Sequence, residues 1–153
     1  LRYFNVHGPR QDPNGAYAAV IPSFIHLLMN LESPTIYGSG EATRDFVSVS
    51  DVASANVLAL TTQSESALNQ VYNVASGTSI SISQLFNTLR ELLAERDPNI
   101  TSIVPTIHPS REGDVLHSSA SIDKARTLLG FNPETDLHRA LEATVEAYWA
   151  QRG

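Results

Sequence analysis

The chain is 153 residues long, with 42% hydrophobic residues, ten Lys+Arg against sixteen Asp+Glu and a formal net charge of -6, enough for one compact domain with a sizeable core. That charge excludes a broad electrostatic footprint for nucleic acid or an anionic membrane, so an anionic ligand has to be met by a few placed cations. The lack of cysteine excludes a disulfide framework and a thiolate metal site and suits a reducing cytoplasm, and no apolar run approaches the ~20 residues that span a bilayer.

The opening LRYFNVHGPRQDPNG reads as one strand through Leu1, Tyr3, Phe4 and Val6 that delivers its C-terminal end into a long loop of turn formers. In open α/β sheets, ligands sit at such strand ends. AYAAVIPSFIHLLMN predicts a helix entered near Pro22, which a first turn tolerates, with Phe24, Ile25, Leu28 and Leu31 as its apolar face. TIYGSGEATRDFVSVSDV predicts two short strands joined as a hairpin by the Gly-Ser-Gly turn. Ser50 or Asp51 then caps a helix over VASANVLALTTQ, which Ala53, Ala55 and Ala59 let pack closely. VYNVAS predicts a strand. SISQLFNTLRELLAERDP is the clearest helix, with Leu85, Phe86, Leu89, Leu92 and Leu93 at helical spacing and Pro98 as its stop. ITSIVPTI predicts a strand, and SIDKARTLLG a short helix closed by Gly130. TDLHRALEATVEAYWAQRG predicts a final amphipathic helix with Leu137, Leu141, Val145 and Tyr148 inward. Alternating strands and helices make the class α/β, with no internal repeat and no linker.

Polar residues gather where loops meet regular structure in YFNVHGPRQDP, GSGEATRDFVSVSD and PSREGDVLHSS. Arg44 and Arg111 stand there beside glycines and acids. Each pair reads either as an exposed ion pair, which contributes little, or as part of a two-pronged grip on phosphate. His7, His26, His108, His117 and His138 show no H-x-x-x-H or H-x-H spacing, which argues against a metal site. Asp114, His117 and Ser118 could be drawn as a triad, but no G-x-S-x-G elbow presents a nucleophile. GSGEA lacks the Lys of a phosphate loop.

Four stretches occur in order over nearly the whole chain: LRYFNVHGPRQDPNGAYAAVIPSFI, IYGSGEATRDFVSVSDVASANVLAL, VYNVASG and REGDVLHSSASIDKARTLLGF, before a last helix with Trp149. Together they resemble the C-terminal half of the extended short-chain dehydrogenase/reductases, and within them the NAD-dependent nucleotide-sugar epimerases, of UDP-N-acetylglucosamine 4-epimerase type. The resemblance implies the C-terminal part of a Rossmann-type doubly wound sheet plus a small α/β substrate-binding domain. Residues 1–153 are then a single fragment of late Rossmann strands and substrate-binding domain, with the N-terminal NAD-binding half, its glycine-rich turn and its Tyr-x-x-x-Lys missing. Such a fragment is expected to be inactive alone, and no residue of it is assigned a catalytic role.

Residue by residue, the resemblance implies that Phe4 and Val6 lie beside the nicotinamide end of NAD and that Asn5 bonds the diphosphate-sugar region. Ala19 and Val20 would offer backbone groups to uracil, and Thr35 and Tyr37 would meet the nucleoside. Arg44 and Arg111 would grip the diphosphate from two sides, Asp114 would meet the ribose hydroxyls, and Ser118 would leave room beside the C2 substituent of the sugar. His7 departs from the aromatic often found at its place. The implied ligand is a UDP-sugar such as UDP-GlcNAc or UDP-GalNAc, or UDP-glucose, in a cytoplasmic, homodimeric complete enzyme. Alternatives are a sugar-nucleotide 4,6-dehydratase, a decarboxylase, or a non-catalytic binding or assembly fragment.

Overall fold

The structure is a computed structural model that describes residues 1–12 and 19–152. In chain order the elements are β1 (Arg2–Tyr3), β2 (Val6–His7), α1 (Val20–Met29), β3 (Thr35–Tyr37), β4 (Thr43–Arg44), β5 (Val47–Ser48) and α2 (Val49–Thr61). After them come β6 (Asn73–Val74), β7 (Ile80–Ser81), α3 (Ile82–Ala94), β8 (Thr106–His108), β9 (His117–Ser118), α4 (Asp123–Leu129) and α5 (Leu137–Ala150).

Two apolar clusters hold these elements. Helices α1, α3 and α5 pack through Phe24, Ile25, Leu28, Leu85, Leu89 and Leu141. Around α2 and α4, a second cluster gathers Val47, Val52, Tyr72, Val74 and Phe131. The α3 helix forms where the sequence repeats Leu and Phe at helical spacing, and all five of those residues are buried. It starts at a capping box: the Gln84 backbone N–H donates to Ser81 Oγ at 3.1 Å, and the Ser81 N–H donates to Gln84 Oε1 at 2.9 Å, so two otherwise unpaired donors are satisfied reciprocally. Gly130, at φ 70°, ends α4 in the left-handed conformation that costs glycine little.

The α/β class holds, and most strand pairs are parallel: β1 with β6, β2 with β5, and β3 with β8. Strand β4 lies between antiparallel β7 and parallel β9. The segment Asp45–Phe46–Val47 ties the two halves together. Phe46 enters the first cluster and Val47 the second, as successive side chains of extended backbone must. Asp45 is fully buried and accepts hydrogen bonds from Ser76 N–H (2.8 Å), Ser76 Oγ (2.8 Å) and Gly77 N–H (3.1 Å). Arg44 is thereby held at the edge of a fixed frame. No helix among the described residues is long and apolar enough to cross a membrane.

Several local expectations are corrected. The opening strand is two: it pairs with β6 up to the bond from Phe4 N–H to Val74 O, then bends at Asn5 and continues along β5. The Asn5 amide donates to Asp45 O at 2.8 Å and fixes the bend. Gly-Ser-Gly is not a hairpin turn, because β3 and β4 belong to different sheets. Ser48, not Ser50 or Asp51, caps α2. Most of ITSIVPTI is a 3-10 turn, Pro98–Ser102, plus an irregular link, and only Thr106 and Ile107 reach β8. Leu31 and Ala53 are exposed. The predicted start of the first helix at 16–18 lies outside the described residues.

Candidate functional site

A cleft of about 440 Å³ is lined by Asn5, Val20, Thr35, Tyr37, Arg44, Arg111 and Asp114, together with the apolar Phe24, Leu27, Ile36 and Phe46. Seven of the nine residues expected to meet substrate are therefore brought together. They come from four places far apart in sequence: the β1–β2 bend, the start of α1, strands β3 and β4, and the turn before β9.

The two arginines are held by different forces. Arg44 leaves β4 with its side chain 19% exposed, and its Nη2 donates to Asp114 Oδ1 at 2.8 Å. Its Nη1 donates to Thr43 O at 2.9 Å. The parallel register that sets Arg44 against Ser118 brings the 111–118 segment alongside. Gly113, at φ 79°, lets that segment fold back so that Asp114 N–H reaches Arg111 O at 3.2 Å. Arg111 lies with its guanidinium carbon 3.8 Å from the centre of the Tyr37 ring. The β3–β8 register sets Tyr37 beside His108, their rings 5.9 Å apart. Two guanidinium groups against one carboxylate leave the cleft with an excess positive charge beside a stacked aromatic. That combination suits an anion joined to a flat ring.

At the start of α1, Ala19 is the N-cap residue, with no side-chain cap and no acid in the first turn. The first backbone N–H groups of a helix have no intrahelical acceptor, which leaves those of Val20 and Ile21 as donors near the cleft. Asn5 lines the cleft although its amide N–H is committed to Asp45 O.

The remaining predicted residues are near but not on the cleft wall. Ala19 and Val6 line a smaller cavity of about 100 Å³, which shares Asn5, Val20 and Phe46 with the cleft. Phe4 is half-buried and donates its N–H to Val74 O. Ser118, half-buried, faces Arg44 in register, and its carbonyl accepts Asp45 N–H at 3.0 Å.

Sequence reasoning missed the apolar walls Phe24 and Phe46 as site residues, and also His7 and Gln11, which line the smaller cavity. For Phe24, Phe46 and Gln11 the only signal was position, inside the same segments as the polar residues, and for His7 it was the departure from the aromatic often found at its place. His7 is 3% exposed. Burial pushes its imidazole from the usual 6.5 down to about 4, with the charge of Asp51 opposing the shift. Tyr148 is pushed up by burial and by the charge of Asp12. No group of three or more His, Asp or Glu among the described residues is placed to hold a metal ion.

Residues 1–75 match the NAD dependent epimerase/dehydratase family. The fold is similar to a UDP-glucose 4-epimerase of Thermotoga maritima solved with UDP-glucose: TM-score 0.88, 37% identity, covering 100% of this chain and 46% of that one. It is similar too to a UDP-N-acetylglucosamine 4-epimerase from Methanobrevibacter ruminantium M1 in complex with UDP-N-acetylmuramic acid, at TM-score 0.87, 41% identity, 99% of this chain and 46% of that one. A UDP-glucose 4-epimerase of Mycolicibacterium smegmatis is 34% identical over 144 residues, 94% of this chain and 43% of that protein. More distant relatives include a nucleotide-sugar decarboxylase and a 4,6-dehydratase. The chain spans less than half the length of the epimerases it matches. It belongs to the NAD dependent epimerase/dehydratase family.

Proposed function

We propose that this chain is the UDP-sugar-binding portion of an NAD-dependent 4-epimerase acting on UDP-N-acetylhexosamines or UDP-glucose. The observation that carries the reading is the convergence of Arg44 and Arg111 on one cleft with Thr35 and Tyr37. A nucleoside diphosphate-sugar brings two negative charges and a flat nucleobase on one ligand, and the cleft offers two guanidinium groups and an aromatic face. Asn5 then lies toward the diphosphate-sugar region, Ala19 and Val20 toward the uracil, and Asp114 toward the ribose. The cluster around α2 and α4 would be the late Rossmann part, and the cluster of α1, α3 and α5 the substrate-binding part.

The residues present fit NAD at one end only. Phe4 is half-buried and Val6 lines the small apolar cavity, a suitable edge for a planar ring. The 153 residues contain no G-x-x-G-x-x-G turn to hold a pyrophosphate. When bound, NAD takes up and returns hydride at the sugar carbon. This chain's own part is to fix the diphosphate and nucleoside so that the sugar is presented in one place while either face is offered.

The test is made in the complete polypeptide that carries this segment. Arg44→Ala and Arg111→Ala should each weaken UDP binding, measured by calorimetry, by about 1.5–3 kcal/mol, the range for a charge-assisted hydrogen bond. Lys at either place should recover only part, because a point charge lacks the fork geometry. Mass spectrometry of the product separates the chemistries: an epimer keeps the substrate's mass, a dehydratase product loses water, and a decarboxylase product loses carbon dioxide. Unchanged UDP affinity in both Ala variants would make the arginines surface residues and overturn the reading.

A further inference from the structure

Asp45 is 0% exposed and forms no part of the cleft wall, yet it stands between two residues that do, Arg44 and Phe46. Every neighbour bonded to its side chain donates: Ser76 N–H and Ser76 Oγ to Oδ1, both at 2.8 Å, and Gly77 N–H to Oδ2 at 3.1 Å. Two oxygens that only accept are those of an ionised carboxylate. Neither ion pair among the described residues involves it, so neutral donors alone hold the charge. Taking a carboxylate out of water is costly. A neutral Asn of the same shape would set its NH₂ against a backbone N–H whichever way the amide turned. The chain thus carries a buried charge with a fixed set of partners just behind the cleft.

What the carboxylate joins gives its use. Ser76 and Gly77 follow β6, which pairs with β1. The main chain of the same residue is bonded on both sides: the Asn5 amide, at the bend after β1, donates to Asp45 O at 2.8 Å, and Asp45 N–H donates to Ser118 O of β9 at 3.0 Å. One residue therefore fastens the sheet of β1 and β6 to the sheet of β7, β4 and β9. Arg44 is the next residue along. Bonds from backbone N–H to a charged acceptor are shorter and stronger than neutral ones, and here they fix the strand from which the guanidinium reaches the cleft. Thr35 and Tyr37 stand on β3, which belongs to a different sheet.

We propose that Asp45 is a positioning residue for the anion grip: without touching ligand, its carboxylate locks the strand that bears Arg44, so that the guanidinium is in place before an anion arrives. The proposal rests on the reading of Arg44 as a contact for diphosphate. A group fixed in advance loses less freedom on binding. Asp45 then acts on the phosphate end of a ligand and not on its nucleoside.

The test compares UDP, by calorimetry, with uridine, by NMR titration, in the complete polypeptide, each variant being held well below its melting temperature. Asp45→Asn should weaken UDP binding by about tenfold, one hydrogen bond's worth, and leave uridine binding unchanged. Ser76→Ala, which removes one donor and keeps both backbone donors, should weaken UDP binding by about threefold and serves if Asp45→Asn does not fold. In an Arg44→Ala background either substitution should add little to the loss, because the group it positions is gone. A loss of uridine binding in step with UDP, or a fully additive loss beside Arg44→Ala, means that Asp45 holds the fold only, and overturns the proposal. Unchanged UDP affinity in both variants overturns it too, while the diphosphate reading of Arg44 stands. A native polypeptide that binds UDP no more tightly than uridine overturns that reading and this inference with it, so the two failures are told apart.

Discussion

Ser118 and His7 both lie off the wall of the main cleft, and each carries a prediction of its own. Ser118 is half-buried and is the register partner of Arg44 across the β4–β9 ladder. If the proposed reading holds and Ser118 stands beside the C2 substituent of the sugar, Ser118→Tyr in the complete polypeptide should abolish turnover of UDP-GlcNAc and UDP-GalNAc and spare UDP-glucose and UDP-galactose, since steric exclusion acts on the bulkier pair. Comparing kcat/KM for both pairs decides it: an equal loss on all four removes Ser118 from specificity. The buried His7 imports a pH dependence. Its imidazole is pushed down to about 4 by desolvation, against 6.5 in the unfolded chain. Above pH 6.5 both states are neutral and the residue contributes nothing. Between 6.5 and 4 the unfolded state binds a proton that the native state refuses, so stability falls with pH by up to about 3 kcal/mol and stops falling below 4. Urea unfolding at pH 7 and pH 4.5 should show a smaller acid loss for His7→Phe than for the native chain, and equal losses would mean that His7 titrates normally. The sequence marked His7 only as a departure from the aromatic often found at its place, and did not show that it is buried. Burial is a property of packing, whereas Arg44, Arg111 and Tyr37 were legible because their neighbours form ordered motifs.

Among the elements, those with internal periodicity were legible and those defined by distant partners were not. Helix α3 carries its apolar spacing and its Ser81–Gln84 cap within one stretch, and α4 announces its end with Gly130. Strands β4 and β9 are two residues each, too short for alternation to show, and they meet across more than seventy positions. The Gly-Ser-Gly segment failed for a related reason: a glycine turn looks the same in sequence whether the next strand folds back on the last or joins another sheet. In the structure Gly38 and Gly40 both have positive φ, 72° and 78°, and they carry the chain from β3 to the sheet of β4. Gly40 also accepts Ser83 N–H at 3.0 Å, which joins the turn to the first turn of α3. A Cβ at Gly40 would stand 2.1 Å from Ser83 Oγ and 3.3 Å from Ile36 Cγ2. Gly40→Ala should therefore lower stability by about 1–2 kcal/mol for the left-handed backbone alone, and by more if Ser83 cannot turn away. A urea midpoint within error of the native one would mean that the turn relaxes freely.

At the scale of the whole molecule the notable quantity is surface. The chain exposes 8903 Å², whereas a compact monomer of its 16.6 kDa exposes about 7,600 Å² by the usual scaling of area with mass. The excess, roughly 1,300 Å², is of the order of a standard protein interface. Part of it is apolar: Leu60 (84% exposed) and Val57 (58%) stand one turn apart on α2, and Val71 (61%) lies just before β6. Strand β1 adds to this, since among the described strands it pairs only with β6. A parallel pair of two residues with an open edge beside apolar surface is the arrangement that proteins ordinarily cover. Produced alone, the 153 residues should therefore self-associate, with a sedimentation coefficient that rises with concentration. Placing charge on the exposed apolar face, as Val57→Lys with Leu60→Glu, should reduce the association without lowering the melting temperature, because neither side chain is buried in the core clusters. A monodisperse monomer of the unsubstituted chain at high concentration would show that this face is stable in water uncovered.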